Sequence, residues 1–597
     1  MASNFLYSTR DHRFILNEWL DMEKVLSFDF YKDYYSVDDI DMILEQALKV
    51  AKEVVAPTRD DNDAIGAIFE DGKVIVPPSF KEAYWFIQEN GWGGSNEDDD
   101  CEGALPNTIF RACGEYLAGA NAPLMPYILA TAGAARLIAS FGDDRVKGLF
   151  KDKMFSGEWG GTMALTEPNA GTDVGDLLTR AYPTDQEGIY KIKGTKCFIT
   201  GGDQDITDNI VHLVLARVEG ALPGTRGISL FAVPKHRVDA EGNITEFNDV
   251  HCVGVEDKMG IKGSATCVMS FGDENDCYGY ILGNPPNEEG RAEGMRQMFQ
   301  MMNGARMETG HAALAETAVA FHNAANYATE RIQGRPLTNP KSDRVPIIQH
   351  EDVRRMLLNQ KAYMEAMRAL VFKTYWYFDV AKHTKDEEER KWAQAKIEVA
   401  TPIVKSYCSD RAWELCGQAM QVLGGNGYSE EYPIAELTRD VKIYSIWEGT
   451  NFIQSMDLVG RKWLMGKGQV FANWLADIEK FAEDNEDAKD FAREMEILSA
   501  AVTTYREIQG AMGAFIADGK MNMLPVYSTR ILDATGDLTC TQLLLEQAIL
   551  AQKKIDEFGT DHHDYPFYNG KVMAAKYFAK NILPNIFTLI DVIKEAD

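Results

Sequence analysis

The spacing of apolar residues changes twice along this chain, and this change limits the possible folds more than any other feature of the sequence. Up to about residue 160, apolar residues recur at helical spacing, which places them on one face of an α-helix. From about 161 to 287, short apolar runs are separated by Gly, Pro and Asp, a pattern typical of β-strands. Helical spacing returns at about residue 288. We therefore predict an α+β fold in the order helix, sheet, helix.

A chain of 597 residues is too long for one hydrophobic core and should divide into roughly three to five domains. We predict an N-terminal extension, an N-terminal helical domain, a central β-barrel domain, a C-terminal helical bundle and an extra C-terminal helical domain. Their predicted ranges are 1–36, 37–160, 161–287, 288–464 and 465–597. The last range carries apolar stripes typical of packed helices, and we find no catalytic motif in it.

The formal net charge of −30 disfavours nucleic acid and anionic membrane as partners, because phosphate contacts require a basic surface. Nine cysteines without a C-x-x-C pair favour reduced thiols and a cytoplasmic location. The start of the chain lacks the basic and apolar segments of a signal peptide. Because no uninterrupted apolar run approaches the ~20 residues of a membrane span, we expect no membrane insertion.

Two strings in the β region carry residue types that suit ligand binding. The first, ALTEPNAGTD at 164–173, has small residues and hydroxyls that let the backbone approach a ligand closely. The second, GTKCFITGG at 194–202, places Phe198 and Thr200 on one side of a strand, where an aromatic ring could cover a flat ligand. Taken alone, the first string is also consistent with an ordinary Pro turn, and the second with a core Phe beside a surface Thr.

Two further strings lie in the second helical region. QVLGGNGY at 421–428 supplies backbone without side-chain bulk, although helix C-caps use the same residues. IWEGTN at 446–451 places Glu448 beside apolar Ile446 and Trp447, which can raise the pKa of its carboxyl group. In isolation, Glu448 is better explained as a helix-capping or solvent-exposed acid.

Together, these four strings resemble the acyl-CoA dehydrogenase family, as do EDKMGIKGSAT at 256–266 and ATERIQG at 328–334. The resemblance extends from about residue 37 to 464. The N-terminal extension and the C-terminal helices most resemble the bacterial branch that contains 3-methylmercaptopropionyl-CoA dehydrogenase. The resemblance implies a soluble FAD-dependent oxidoreductase of fatty acid metabolism, acting in β-oxidation.

The resemblance also implies a reaction. Glu448 would remove the α-proton of an acyl-CoA thioester while flavin N5 accepts the β-hydride, giving a trans-2-enoyl-CoA. Because a thioester α-proton is too weakly acidic for an unaided carboxylate, the backbone N–H of Glu448 and a ribityl hydroxyl of FAD would polarise the carbonyl. Electrons would pass to an electron-transfer flavoprotein. We expect a short- or medium-chain substrate; a thioether acyl-CoA stays open, as does an acyl-CoA oxidase that uses oxygen as acceptor.

The family's binding positions carry over residue by residue. Those expected to contact FAD are Met163, Leu165, Thr166, Phe198, Thr200, Arg331, Gln333, Gln421, Gly424, Gly425, Thr450 and Asn451. Those expected to contact the substrate are Thr172, Asn303, Arg306 and Gly449. Arg331, Gln333 and the 421–425 positions match residues that reach the FAD of a neighbouring subunit, which implies a homodimer or homotetramer. The ERIQGRPL string is one residue shorter than the usual form, and Arg306 is also consistent with a helix-surface ion pair.

We predict no metal site and no nucleic-acid partner. The DHHD string at 561–564 has metal-ligand residue types, but adjacent histidines in a polar loop are usually just exposed. A catalytically silent family member that binds nucleic acid would favour a basic tail and could lose the glutamate, whereas this chain is acidic and keeps Glu448. The C-terminal helices are instead expected to pack on a neighbouring subunit or to cover its surface.

Overall fold

The computed structural model describes residues 5–596, which form two compact units. We call them the β unit, residues 46–105 and 116–305, and the helical unit, residues 5–45, 106–115 and 306–596. The α+β fold class is confirmed, because a run of strands lies between two helical regions along the chain. The division into five domains stays a prediction.

The strands of the described chain all lie in the β unit. They are β1 (Ile68–Glu70), β2 (Lys73–Ile75), β3 (Gly160–Ala164), β4 (Arg180–Pro183), β5 (Ile189–Thr200), β6 (Ile210–Val218), β7 (Ile228–Pro234), β8 (His236–Val238), β9 (Ile244–Phe247), β10 (Val250–Val255), β11 (Thr266–Phe271) and β12 (Tyr278–Ile281).

The larger sheet is a partly closed barrel of eight strands among the described residues. Its order is β10-β11-β5-β12-β7-β6-β3, and β4 pairs with both β5 and β6. The ring β5-β12-β7-β6-β4 therefore closes on itself. Every residue of β6 is buried, which explains why its sequence is a near-continuous apolar run.

A β-hairpin, β1–β2, lies in the region that the sequence pattern predicts as helical. Its turn residues Asp71 and Gly72 both have positive φ, of 50° and 76°. Asp-Gly is a preferred pair for the two-residue hairpin turn that requires positive φ at both positions. The string EDGK therefore carried a local signal that the helical periodicity around it obscured.

Strand β5 contains a β-bulge close to its C-terminal end. Cys267 of β11 pairs with Ile199, but Met269 pairs with Lys196, so β5 has one extra residue between these two pairs. Phe198 lies in the bulge with φ of +59°, and 61% of its surface is exposed. The bulge thus turns a large aromatic side chain away from the barrel core.

The helices follow in chain order. They are α1 (Arg10–Phe14), α2 (Met22–Leu26), α3 (Ile40–Val50), α4 (Arg59–Ala64), α5 (Pro78–Glu89), α6 (Asn107–Asn121), α7 (Met125–Phe141), α8 (Asp144–Phe155), α9 (Gly294–Glu330), α10 (Glu351–His383), α11 (Glu387–Leu423), α12 (Ile434–Val441), α13 (Asn451–Asp457), α14 (Gln469–Asp484), α15 (Ala492–Ala517), α16 (Met523–Phe558), α17 (Tyr565–Asn581) and α18 (Asn585–Lys594).

Each unit has a core of its own. In the β unit, α7 and α8 cover the barrel, and Phe150, Trp159 and Leu213 are buried in one cluster. In the helical unit, α10 packs along α11, and both contact α16. The hydroxyl of Tyr407 on α11 donates to the carboxylate of Asp537 on α16 at 2.6 Å, so the C-terminal helices form part of this core.

A buried group of charged side chains joins distant parts of the chain within the helical unit. This charge network consists of Asp11, His12, Glu115, Arg368 and Lys571. Arg368 Nη2 lies 2.7 Å from Glu115 Oε1, His12 Nε2 lies 2.8 Å from Glu115 Oε2, and Lys571 Nζ lies 2.7 Å from Asp11 Oδ1. Burial alone would raise the pKa of Glu115, but Arg368 and His12 hold it well below its usual range. The buried carboxylate of Glu115 therefore stays charged, because its charge is paired with that of Arg368.

One stretch, 107–141, is long and apolar enough by length and composition to cross a membrane, with a mean hydropathy of 1.4 in its most apolar window. Of that window, 56% is buried inside the protein, and core helices of water-soluble proteins pass the same test. The sequence pattern did not indicate a possible membrane span here, because Arg111 and Glu115 interrupt the apolar run. The expectation of no membrane insertion stays a prediction.

Candidate active site

Glu448 lies in a strained turn immediately before α13. Its φ is +55° and that of the following Gly449 is +81°. A left-handed backbone costs an L-residue such as glutamate about 1–2 kcal/mol, so surrounding contacts must hold it. The buried Gln454 supplies them: its side-chain Nε2 donates to the carbonyl of Glu448 at 3.3 Å and to that of Gly449 at 3.1 Å.

Glu448 is a half-buried residue of the helical unit. Desolvation raises its pKa to about 7, and the positive charges of Arg306 and Lys405 limit that rise. Arg306 is buried and forms an ion pair with Asp457, with Nη1 and Oδ2 3.6 Å apart. A carboxyl group with a pKa near 7 can both accept and release a proton at neutral pH.

Asn451 begins α13, and its side chain is enclosed by neighbouring residues of α11. Its Oδ1 accepts from Lys405 Nζ at 2.8 Å, and its Nδ2 donates to Ser409 Oγ at 3.0 Å. Thr450 is half-buried between Gly449 and Asn451. The structure therefore brings Arg306, Glu448, Gly449, Thr450 and Asn451 into one region of the helical unit.

The sequence motifs did not indicate Lys405 or Gln454 as residues of this site. The lone lysine in the apolar run TPIVKSYC was the available signal for Lys405, because an unpaired buried lysine is rare. Nothing local distinguishes Gln454 from a surface glutamine in the string NFIQS.

In the β unit, two segments with predicted cofactor contacts lie side by side: the end of β3 with the residues after it, and the end of β5. The N–H of Cys197 donates to the carbonyl of Thr166 at 2.9 Å, and Lys196 Nζ donates to the carbonyl of Leu165 at 3.1 Å. These bonds bring Met163, Leu165 and Thr166 close to Phe198 and Thr200. The five side chains are half-buried, apart from the exposed Phe198.

The fully buried Lys196 of β5 anchors the segment after β3 through an ion pair. Its Nζ lies 2.8 Å from Glu167 Oε1, and Glu167 also accepts a hydrogen bond from the backbone N–H of Thr179 at 3.1 Å. Burial lowers the pKa of Lys196 to about 8 despite the opposing effect of Glu167. For Glu167, desolvation opposes ionisation, but Lys196 more than offsets it and the carboxyl pKa is lowered. The pair is therefore charged at neutral pH.

A third group of predicted residues is exposed on the helical unit. Arg331 and Gln333 follow α9, and Arg331 Nη2 donates to Gln333 Oε1 at 3.1 Å. Gln421, Gly424 and Gly425 lie at the end of α11, also exposed. Asn426 Nδ2 donates to the hydroxyl of Tyr327 at 2.9 Å, which joins this turn to the last part of α9.

Two predicted substrate residues lie apart from these groups. Thr172 is exposed in the loop after β3, and Asn303 is half-buried on α9, one helical turn before Arg306. The helix-surface explanation of Arg306 does not hold, because only 4% of the residue is exposed.

The possible metal ligands His562, His563 and Asp564 have ligand atoms within 4.8 Å of one another. However, His562 Nδ1 already accepts from the N–H of Asp564 at 3.2 Å, and Arg10 Nη2 lies 3.5 Å from Asp564 Oδ2. The guanidinium of Arg10 therefore occupies the position where a cation would neutralise this carboxylate, which disfavours a metal there.

Sequence profiles of known protein domains match most of the chain. Residues 162–273 and 292–462 match the sequence profiles described as the middle domain and the C-terminal domain of acyl-CoA dehydrogenase. Residues 474–597 match the profile described as acetyl-CoA dehydrogenase C-terminal like.

Two curated relatives align with nearly the whole chain. A butyryl-CoA dehydrogenase of Syntrophomonas wolfei is 43% identical over 100% of this chain and 98% of its own length. A 3-methylmercaptopropionyl-CoA dehydrogenase of Ruegeria pomeroyi is 35% identical over 95% of this chain and 94% of its own length. Among solved structures, an acyl-CoA dehydrogenase of Bacillus anthracis complexed with FAD superimposes with a TM-score of 0.71 at 20% identity, covering 95% of this chain and 90% of that one. At that identity the superposition supports the fold alone.

Proposed function

The chain belongs to the acyl-CoA dehydrogenase family, and we propose that it oxidises a short-chain acyl-CoA thioester to the trans-2-enoyl-CoA with Glu448 as the base. The observation that carries this proposal is the position of Glu448, half-buried in a strained turn with a pKa raised to about 7. An ordinary surface or capping glutamate has neither feature.

The family is FAD-dependent, and the residues of this chain fit that cofactor. The exposed ring of Phe198 offers an aromatic face for a flat heterocycle, an unusual degree of exposure for phenylalanine. Thr166 and Thr200 supply hydroxyls beside it, and the exposed Arg331 supplies a cation suited to a diphosphate. We propose that the predicted contact residues hold FAD, with Arg331, Gln333, Gln421, Gly424 and Gly425 reaching the FAD of a second copy. Bound FAD would supply the acceptor for the β-hydride.

Glu448 would act on the α-carbon of the thioester. In its charged form, the partly desolvated carboxylate is a stronger base than a solvated one, because burial favours the protonated product. Arg306 and Lys405 keep a usable fraction of it charged near pH 7. The backbone N–H of Glu448 would donate to the thioester oxygen, where negative charge develops as the proton leaves. Gly449 would let the thioester approach this N–H closely.

For the coenzyme A arm, we propose contacts from the exposed Thr172 and the half-buried Asn303. Arg306 is sealed within the helical unit and paired with Asp457, so we propose that it acts on the charge of Glu448. This changes the role that the family resemblance implies for Arg306.

The relatives support a short acyl chain. The curated relative named for butyryl-CoA is 43% identical over the whole chain, against 35% for the relative named for a thioether acyl-CoA. We therefore propose a straight chain of about four carbons, and a panel of acyl-CoAs that includes the thioether would test this choice.

The proposal extends to partners. We propose an electron-transfer flavoprotein as acceptor, as in the family, and a homodimer or homotetramer. Three large side chains of the helical unit support a second copy, because Ile332, Leu337 and Tyr428 are 57%, 85% and 82% exposed beside predicted cross-subunit positions.

A cytoplasmic location agrees with the nine cysteines, each of which is a free thiol. Rapid reoxidation of the reduced enzyme by oxygen would identify an oxidase instead.

The decisive experiment is the substitution of the proposed base, Glu448. Glu448→Gln should retain FAD and bind butyryl-CoA, yet anaerobic bleaching of the flavin should slow by about 10³-fold, in the range expected for loss of a general base. The control is Glu431→Gln, an exposed glutamate on the same unit, which should bleach at the normal rate. Bleaching of Glu448→Gln at a near-normal rate would remove Glu448 from the mechanism.

A further inference from the structure

Lys405 is a fully buried lysine in the middle of α11. Long charged side chains are rarely enclosed in this way, because desolvation opposes the charged form. Its Nζ donates to Asn451 Oδ1 at 2.8 Å. This bond connects α11 to the first residue of α13, three positions after Glu448.

The contact belongs to a small set of bonds that fix the start of α13. Ser409 Oγ lies 3.0 Å from Asn451 Nδ2, and Asn451 Nδ2 also donates to the carbonyl of Ser406 at 3.3 Å. Gln454 holds the carbonyls of Glu448 and Gly449 from the other side of the turn. The turn that contains Glu448 is therefore held by bonds of Asn451 and Gln454, and Lys405 supplies the only charged group in this set among the described residues.

The charge of Lys405 also acts on the carboxylate. Burial lowers the pKa of Lys405 to about 7, whereas the negative charges of Asp410 and Glu448 favour its charged form and Arg306 opposes it. Lys405 in turn favours the charged form of Glu448. The charged groups around this pair are Arg306 on α9, Asp410 on α11, Asp457 at the end of α13, and Arg461, which follows α13. Lys405 and Glu448 therefore each favour the charged form of the other.

We propose that Lys405 is a positioning residue for the base: it anchors the helix that follows Glu448 and places a positive charge behind the carboxylate. The inference rests on the proposed function, since it assigns Lys405 a role in the reaction of Glu448. Lys405 itself need not contact substrate or cofactor.

The test is the pH dependence of anaerobic flavin reduction by butyryl-CoA. Lys405→Met keeps the length of the side chain but removes its charge, so the midpoint of the pH profile should rise by about one unit, which is about tenfold in rate below the midpoint. At pH 9 the rate should stay within about threefold of normal. Lys405→Arg, which carries a permanent charge, should give a midpoint at or below the normal one.

Lys396→Met is the matched control. Lys396 is a buried lysine on the same helix, paired with Asp477, so its loss should reduce stability and leave the midpoint in place. A midpoint in Lys405→Met equal to that of the native protein would overturn the inference. Loss of reduction in Glu448→Gln with an unmoved midpoint in Lys405→Met would leave the proposed function standing and this inference refuted.

Asp410→Asn tests the inference if Lys405→Met does not fold. Asp410 is half-exposed, so the substitution is mild, and it removes a charge that keeps Lys405 protonated. The midpoint should then rise by a few tenths of a unit, because less charge remains behind Glu448. Removal of a negative charge acting directly on Glu448 would lower the midpoint instead, so a fall or no change contradicts the role of Lys405.

Discussion

At the scale of single residues, the base depends on a backbone conformation that glutamate avoids. The positive φ of Glu448 is kept by hydrogen bonds from Gln454 and by the glycine that follows. Such strain persists only where the surroundings fix it, and it is concentrated at sites where a side chain must point in a set direction. The half-buried carboxyl group and the strained turn are thus two parts of one arrangement.

This arrangement predicts the direction of the pH dependence. Because desolvation raises the pKa of Glu448 to about 7, the base should be lost by protonation as pH falls through 7. Flavin reduction at saturating butyryl-CoA should fall about tenfold for each unit below the midpoint and level off above pH 8. Stopped-flow absorbance at the flavin band measures the rate of flavin reduction at each pH. A flat rate between pH 5 and 8 would show that Glu448 has an ordinary carboxyl pKa.

At the scale of elements, strand β5 combines an exposed ring with a buried ion pair. The bulge turns Phe198 outward, while the neighbouring Lys196 points inward to Glu167. Since Lys196 also donates to the carbonyl of Leu165, it joins the two segments with predicted cofactor contacts, the end of β5 and the residues after β3.

Lys196→Met tests that anchor. The substitution leaves Glu167 buried without its charged partner, and breaking such a pair lowers the free energy of unfolding by about 3–5 kcal/mol. FAD affinity should fall as well, because residues 163–166 lose the hydrogen bond from Lys196 to the carbonyl of Leu165. Urea denaturation and flavin release measure both effects. Lys191→Met, on the same strand but bonded to the exposed carbonyl of Asn275, should change stability by less than about 0.5 kcal/mol; a similarly small change in Lys196→Met would contradict the role of the ion pair.

The sequence predicted the order of helical and strand regions better than the roles of individual residues. The order of helical and strand regions follows from local periodicity, so the fold class could be predicted. Glu448 stood out because its neighbours in sequence form a recognisable string. Lys405 could not be linked to Glu448, since they lie on different elements and meet only through the packing of α11 against α13. The β1–β2 hairpin was missed because a turn of two residues contributes little to a periodicity measured over longer windows.

At the scale of the whole molecule, the C-terminal helices belong to the core of the helical unit. Ser455 Oγ on α13 donates to Ser528 Oγ on α16 at 2.9 Å, and Tyr407 is bonded to Asp537. The 465–597 segment therefore supports the elements that hold the base.

Deletion after Leu464 should accordingly disrupt the protein. The buried faces of α10 and α11 would become exposed, so the truncated chain should aggregate or lose its native assembly, and activity should be lost. Light scattering coupled to size-exclusion chromatography, with the full chain as reference, measures the mass. A truncated protein with native mass and full activity would show that the C-terminal helices are dispensable.

The charge network has a consequence for biosynthesis. Asp11 meets Lys571, and the hydroxyl of Tyr568 donates to Glu18 at 2.7 Å, so residues that contact each other here lie 550 or more positions apart in the chain. During synthesis, the segment before α3 therefore keeps its apolar side chains uncovered until α17 has been made. Closing a loop of this length is slow, and an uncovered apolar segment is open to aggregation in the meantime. The helical unit is therefore complete only after α17 has met the segment around α1.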